Sequence, residues 1–151
     1  MKLNEPMDIN LVHRPANYNI TAECRINNFI IDKAVLDGGS QCTLMNKKLS
    51  PQIGLKIDTR NPPPLKGVST KSKSIGWSYN VPITFTNKIL PRDTDFTLSI
   101  DIIIIDDDEY DLVIETDWLD LARAKPDYDK WKFHVDNIFV PMSVHKSAKK
   151  K

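Results

Sequence analysis

The chain has 151 residues, 40% of them hydrophobic, with 21 Lys and Arg against 20 Asp and Glu and a formal net charge of +1. That length and balance predict one folded domain with a single core and exclude a disordered polyelectrolyte. Proteins that grip phosphate backbones carry a clear basic excess, so nucleic acid is not expected as a partner. Nor is a membrane expected: the longest aliphatic run, Ile102–Ile105, is far short of the roughly 18–20 apolar residues of a spanning helix.

Residues 1–16 show no period and are read as an N-terminal arm. From Tyr18 to Ile26 apolar and polar residues alternate strictly, which predicts a strand with one wet face. Asn27-Asn28 suits a tight hairpin turn, and Phe29–Leu36 is the return strand. It delivers Asp37 into the turn Gly38-Gly39-Ser40. A short helix or turn is expected around Asn46–Leu49, ended by Pro51 and Gly54. Asn61-Pro62-Pro63-Pro64 is an extended linker, and Lys66–Ser74 a polar loop.

Trp77, Tyr79, Val81, Ile83 and Phe85 alternate with polar residues and Pro82, predicting a strand with an edge or bulge at the proline. Phe96 to Ile104 forms another. Its far end loses alternation at Ile103 and Ile105, which predicts burial on both faces. Asp106–Glu109 reads as a solvated turn, and Tyr110–Ile114 as a short strand. Thr116 is placed to cap a helix, with Asp117 in its first turn. Trp131, Phe133 and Val135 alternate again, Ile138–Val140 closes the core, and 142–151 is read as a basic tail. The composition agrees: 17 Ile, 8 Val and 9 Thr against 6 Ala favour pleated strands over helices. The expected class is all-β, about seven short strands with one or two short helices.

Cys24 and Cys42 make no disulfide framework. Met1–Pro6 contains no apolar signal segment, so the reading is an intracellular, cytoplasmic chain with reduced thiols. His13, His134 and His145 are not at zinc spacing. There is neither GxxxxGK[ST] nor GxGxxG. No metal and no cofactor is expected.

Asp37-Gly38-Gly39-Ser40 is the most informative stretch. Glycines beside a carboxylate at the end of a buried strand let backbone amides and a ligand backbone come close. The same four residues also fit a plain Asp-Gly turn. An apolar strand runs into an acid twice, at Val35-Leu36-Asp37 and at Val113-Ile114-Glu115, each followed by a short helical stretch.

In its wider setting, the run Ile26 through Leu55, with Ala34 through Met45 inside it, resembles the first half of a retropepsin, the aspartic protease of retroviruses and long-terminal-repeat retrotransposons. Tyr110 through Leu119 resembles the gypsy-type second half. Asp127-Tyr128 and Trp131–Val135 are similar to its closing strands, and Gly67-Val68-Ser69-Thr70 falls where the family carries its flap. The likeness spans roughly residues 17–140, and the domain is expected over 17–141. It implies a retropepsin-like closed barrel or sandwich, the acid-protease fold with one lobe per chain.

The resemblance also implies an aspartic endopeptidase domain of a larger retrotransposon-type polyprotein. Asp37 would be catalytic, Gly38, Gly39 and Ser40 its loop, and Ile114, Glu115 and Thr116 the second motif. Two carboxylates sharing one proton activate a water in such enzymes. One Asp motif per chain then implies a homodimer acting on an extended polypeptide. Gly38 stands where the family has Thr or Ser, and Glu115 where it has Gly. Glu115 is therefore expected to lie near the Asp37 loop and to crowd it. The alternative is a catalytically inactive retropepsin-like dimerisation or peptide-binding module.

Overall fold

The computed structural model describes residues 18–65, 73–87, 94–107 and 109–146. Its elements are β1 (Tyr18–Ile26), β2 (Phe29–Leu36), β3 (Leu44–Asn46), α1 (Leu49–Ile53), β4 (Ser74–Asn87), β5 (Thr94–Ile105), β6 (Leu112–Ile114), α2 (Thr116–Leu121), β7 (Lys125–Asp127), β8 (Lys132–Val135), β9 (Ile138–Pro141) and β10 (Ser143–Lys146). The arm 1–16 and the flap residues Gly67, Val68, Ser69 and Thr70 lie outside the described residues.

The period-two pattern of β1 becomes a buried row of Ile20, Ala22, Cys24 and Ile26. Asn27, at φ 55°, turns the chain into β2 in the left-handed region that Asn tolerates. Seven strands form one sheet in the order β10-β1-β2-β6-β3-β5-β4, and β4 also pairs with β1 at Thr84 and Arg25, so the sheet curls back onto its second strand. Strands β7, β8 and β9 make a second, antiparallel sheet.

The main core lies between these layers and holds Ile83, Phe85, Ile102, Ile104, Leu112 and Trp118, all essentially inaccessible. On the opposite face of β5, Ile103 and Ile105 join Leu44 in a smaller cluster. Both faces of that strand end are buried, which is why its alternation disappears. Trp118 locks α2 to the core. Its indole packs on Phe85 and Phe96, with ring centroids 5.1 and 6.0 Å away, and its Nε1–H donates to the Leu98 carbonyl at 3.0 Å.

Several expectations need correction. The helix after β3 starts at Leu49, not Asn46, because 44–46 pair as a strand between β5 and β6. Pro51 lies inside α1, in its first turn, where no intrahelical N–H is required. Gly54 alone ends this helix, at φ 88°, a conformation glycine adopts without strain. Thr116 does not cap α2; the N-cap position is Glu115. The stretch 142–151 is not wholly a tail, since Met142 is buried and Ser143–Lys146 pairs with Tyr18–Thr21. There are ten strands among the described residues rather than seven, the extra ones being short pieces without a clear period.

Pro82 sits beside a bulge, as the sequence suggested: the β4–β5 register shifts between Ser78 and Val81, and Asn80 has φ 54°. Near its start, β4 touches the chain that leads toward 66–72. Asp58 and Trp77 exchange backbone hydrogen bonds of 2.7 and 3.0 Å. The Asp58 carboxylate also accepts from Arg60 and from the Tyr79 hydroxyl. Its bonds to Arg60 above all hold that carboxyl well below the usual carboxylate range.

Candidate active site

Strands β2 and β6 run parallel, with Val35 on Val113 and Leu36 on Ile114. The twice-occurring pattern of apolar strand and acid is therefore a spatial one. Both strands end together and release Asp37 and Glu115 at the same edge. The apolar residues force this arrangement, since Leu36 and Ile114 are both buried.

The turn after Asp37 has no strand partner. Its backbone groups are satisfied instead by the segment that starts α2. Asp37 N–H donates to the Ile114 carbonyl at 2.9 Å. Ser40 N–H donates to Glu115 Oε1 at 3.0 Å. The Ser40 carbonyl accepts from Thr116 N–H at 3.2 Å and Thr116 Oγ1 at 2.7 Å. Thr116 thus spends its hydroxyl across the loop rather than on its own helix. Within the turn, Gly39 N–H donates to Asp37 Oδ1 at 2.9 Å, which orients the carboxylate.

Thr43 closes the loop and is fully buried. Its N–H and Oγ1–H donate to the two carboxylate oxygens of Asp117 at 2.9 and 2.7 Å. Its Oγ1 also accepts from Glu115 N–H at 3.1 Å. Thr43 and Asp117 escaped the sequence reading as a pair. A Thr seven residues from a hairpin's end and an Asp in a helix's first turn each have an adequate local explanation, and 74 residues separate them.

Of the residues expected at the site, Asp37, Gly38, Gly39, Ser40, Ile114, Glu115 and Thr116 come together. Asp37 is half-buried and Gly39 exposed, so the carboxylate borders solvent. Glu115 does lie against the Asp37 loop, but it is only 3% exposed and serves as an acceptor for Ser40. Gly38 has ordinary backbone geometry. A Cβ there would meet only the Thr116 methyl, at 3.8 Å.

A cavity of about 420 Å³ opens beside Asp37. Gly38, Gly39 and Thr116 form its polar end, and Ile20, Leu36, Leu119, Phe133 and Met142 contribute apolar wall. On the other side of the loop, Cys42 adjoins the small cluster of Leu44, Ile103 and Ile105, with Leu65, Trp77 and Val113 packed against it. Burial, then the carboxylates of Asp117 and Glu115, raise the Cys42 thiol above its ordinary range. That disfavours the thiolate a nucleophile would need. No group of three or more potential metal ligands occurs among the described residues. Nor is any helix there long and apolar enough to cross a membrane.

Among solved structures, the chain is similar to the retroviral protease-like domain of Ddi1 from Leishmania major. Identity is 26%, over 83% of this chain and 94% of that one, with a TM-score of 0.62. It is also similar to a retropepsin-like aspartic protease from Rickettsia conorii, at 14% identity over 87% and 93% of the two chains and a TM-score of 0.39. No family model matches the sequence, and no curated protein does. The fold is all-β and retropepsin-like.

Proposed function

We propose that the chain is an aspartic endopeptidase domain that works as a homodimer, with Asp37 of each copy supplying one half of the catalytic dyad. The observation that carries this reading is the parallel β2–β6 pair, which ends in a cross-tied loop presenting Asp37 to solvent, on a fold shared with a retroviral protease-like domain.

One Asp is not enough. Two carboxylates must face each other and share a proton, one acting as base toward water and the other as acid toward the scissile carbonyl. Glu115 cannot be the second, because its carboxylate is buried and holds Ser40. A second copy of the same chain is the simplest source, by two-fold symmetry. The apolar cavity beside Gly38, Leu36 and Leu119 supports a partner at this edge. The substrate would be a polypeptide bound in extended form against the Asp37 loop.

A retrotransposon-type polyprotein of the gypsy class is the setting this reading favours, on the order and spacing of the two motifs. The test is a peptide-library cleavage assay at mildly acidic pH with wild type and Asp37→Asn. Cleavage by the first and none by the second supports the proposal.

A further inference from the structure

Glu115 occupies the N-cap position of α2 with extended backbone (φ −111°, ψ −169°), yet its side chain makes no capping bond to its own helix. It crosses instead to the Asp37 loop and accepts the Ser40 N–H. Few positions at a protein surface bury a carboxylate to 3% exposure, and burying one is costly without hydrogen-bond partners.

Ser40 is the point at which the loop is pinned. Its N–H goes to Glu115, and its carbonyl to both donors of Thr116. Three residues earlier, Asp37 N–H is pinned on Ile114. Both ends of the Asp37–Ser40 turn are thus fastened to three consecutive residues, 114–116. Two of those fastenings use backbone carbonyls or Thr116, which any sequence with a Thr there could supply. The third needs an oxygen acceptor at the end of a side chain of glutamate's length. Glu115 is itself held, through its own N–H, by Thr43 Oγ1, and Thr43 is fixed in turn by Asp117.

We infer that Glu115 is a positioning residue: its side-chain oxygen fixes Ser40, and through the Asp37–Ser40 turn it sets the direction of the Asp37 carboxylate. The loop is thereby ordered within one chain, before any partner or substrate arrives. As far as it concerns catalysis, this rests on the protease reading; as far as it concerns loop geometry, it does not.

The experiment compares wild type, Glu115→Gln and Glu115→Met by amide hydrogen exchange at single residues, with peptide cleavage in parallel. Gln keeps an oxygen at the right reach; Met keeps the volume and removes the acceptor. Losing one such bond should speed Ser40 exchange about tenfold in Glu115→Met, with Glu115→Gln within about threefold of wild type. Amides of β1 and β2 should be unchanged. Cleavage should follow the same order, with kcat down about tenfold in Glu115→Met, KM within about threefold, and kcat recovered in Glu115→Gln. Equal Ser40 exchange in all three proteins, or a Gln variant as fast as Met, overturns the inference. Should Glu115→Met fail to fold, wild type decides, since a Ser40 amide exchanging like that of an unstructured chain also overturns it. The exchange readout needs no activity, so a wild-type protein that cleaves nothing counts against the protease reading alone.

Discussion

Asp37 and Glu115 follow registered residues of one parallel strand pair, Leu36 on Ile114, and meet opposite fates: Asp37 is half-exposed at the loop surface while Glu115 is buried beneath the same loop. The difference comes from what each side chain finds. Asp37 bonds within its own turn, to Gly39 N–H. Glu115 meets an unpaired backbone donor on the neighbouring loop.

Thr43→Val should be strongly destabilising for a nearly isosteric change. It removes the hydroxyl that serves Asp117 and Glu115 N–H together and leaves a buried donor without its acceptor. The expected loss is about 1–3 kcal/mol, read by denaturant unfolding. A loss below a few tenths would mean that water replaces the hydroxyl.

Gly76→Ala should disturb the contact between β4 and the chain before residues 66–72. An added Cβ would sit 2.2 Å from the Asp58 carbonyl oxygen and 3.1 Å from Thr59 Cα, both backbone atoms that cannot rotate away. Overpacking of this kind costs about 1–3 kcal/mol. Thermal unfolding checks it, and an unchanged Tm would contradict the close approach.

Gly38→Thr should be accepted by the fold, within about 0.5 kcal/mol of wild type as for changes free of a named clash. The space beside Thr116 is open and the backbone is ordinary. On the dimer reading, the new hydroxyl should also tighten self-association, which sedimentation over a concentration series measures. A large destabilisation would show that glycine is required there by the fold.

Stability should fall in alkali through Cys24. Burial first, and Glu23 second, push its thiol up to about 12 from 9.0. The folded chain therefore keeps a proton that the unfolded chain releases. The contribution is complete below about pH 9 and is lost as pH rises toward 12. Denaturant midpoints at pH 8 and 10.5 should separate more for wild type than for Cys24→Ala. Equal shifts would mean that the thiol reaches solvent in the folded protein.

The β1–β2 hairpin was legible to the residue, because a half-buried antiparallel pair writes its period into the sequence and Asn27 marks the turn. The placement of Asp37 in a turn at the end of a buried strand was legible as well, from an apolar run stopped by two glycines. The role of Glu115 was not legible. Its partner is 75 residues away, and no spacing rule connects a glutamate to a single backbone amide. Strand β10 escaped as well, since Ser143–Lys146 carries no apolar alternation and is a strand only because β1 offers it an edge.

Catalysis in the proposed homodimer depends on Asp37 as half of a shared dyad. The most direct measurement is the initial rate of peptide cleavage at mildly acidic pH against protein concentration, for wild type and Asp37→Asn. The prediction is a wild-type rate that rises more steeply than linearly at low concentration, as a dimer assembles, and no rate for Asp37→Asn at any concentration. Cleavage by Asp37→Asn at the wild-type rate would contradict it.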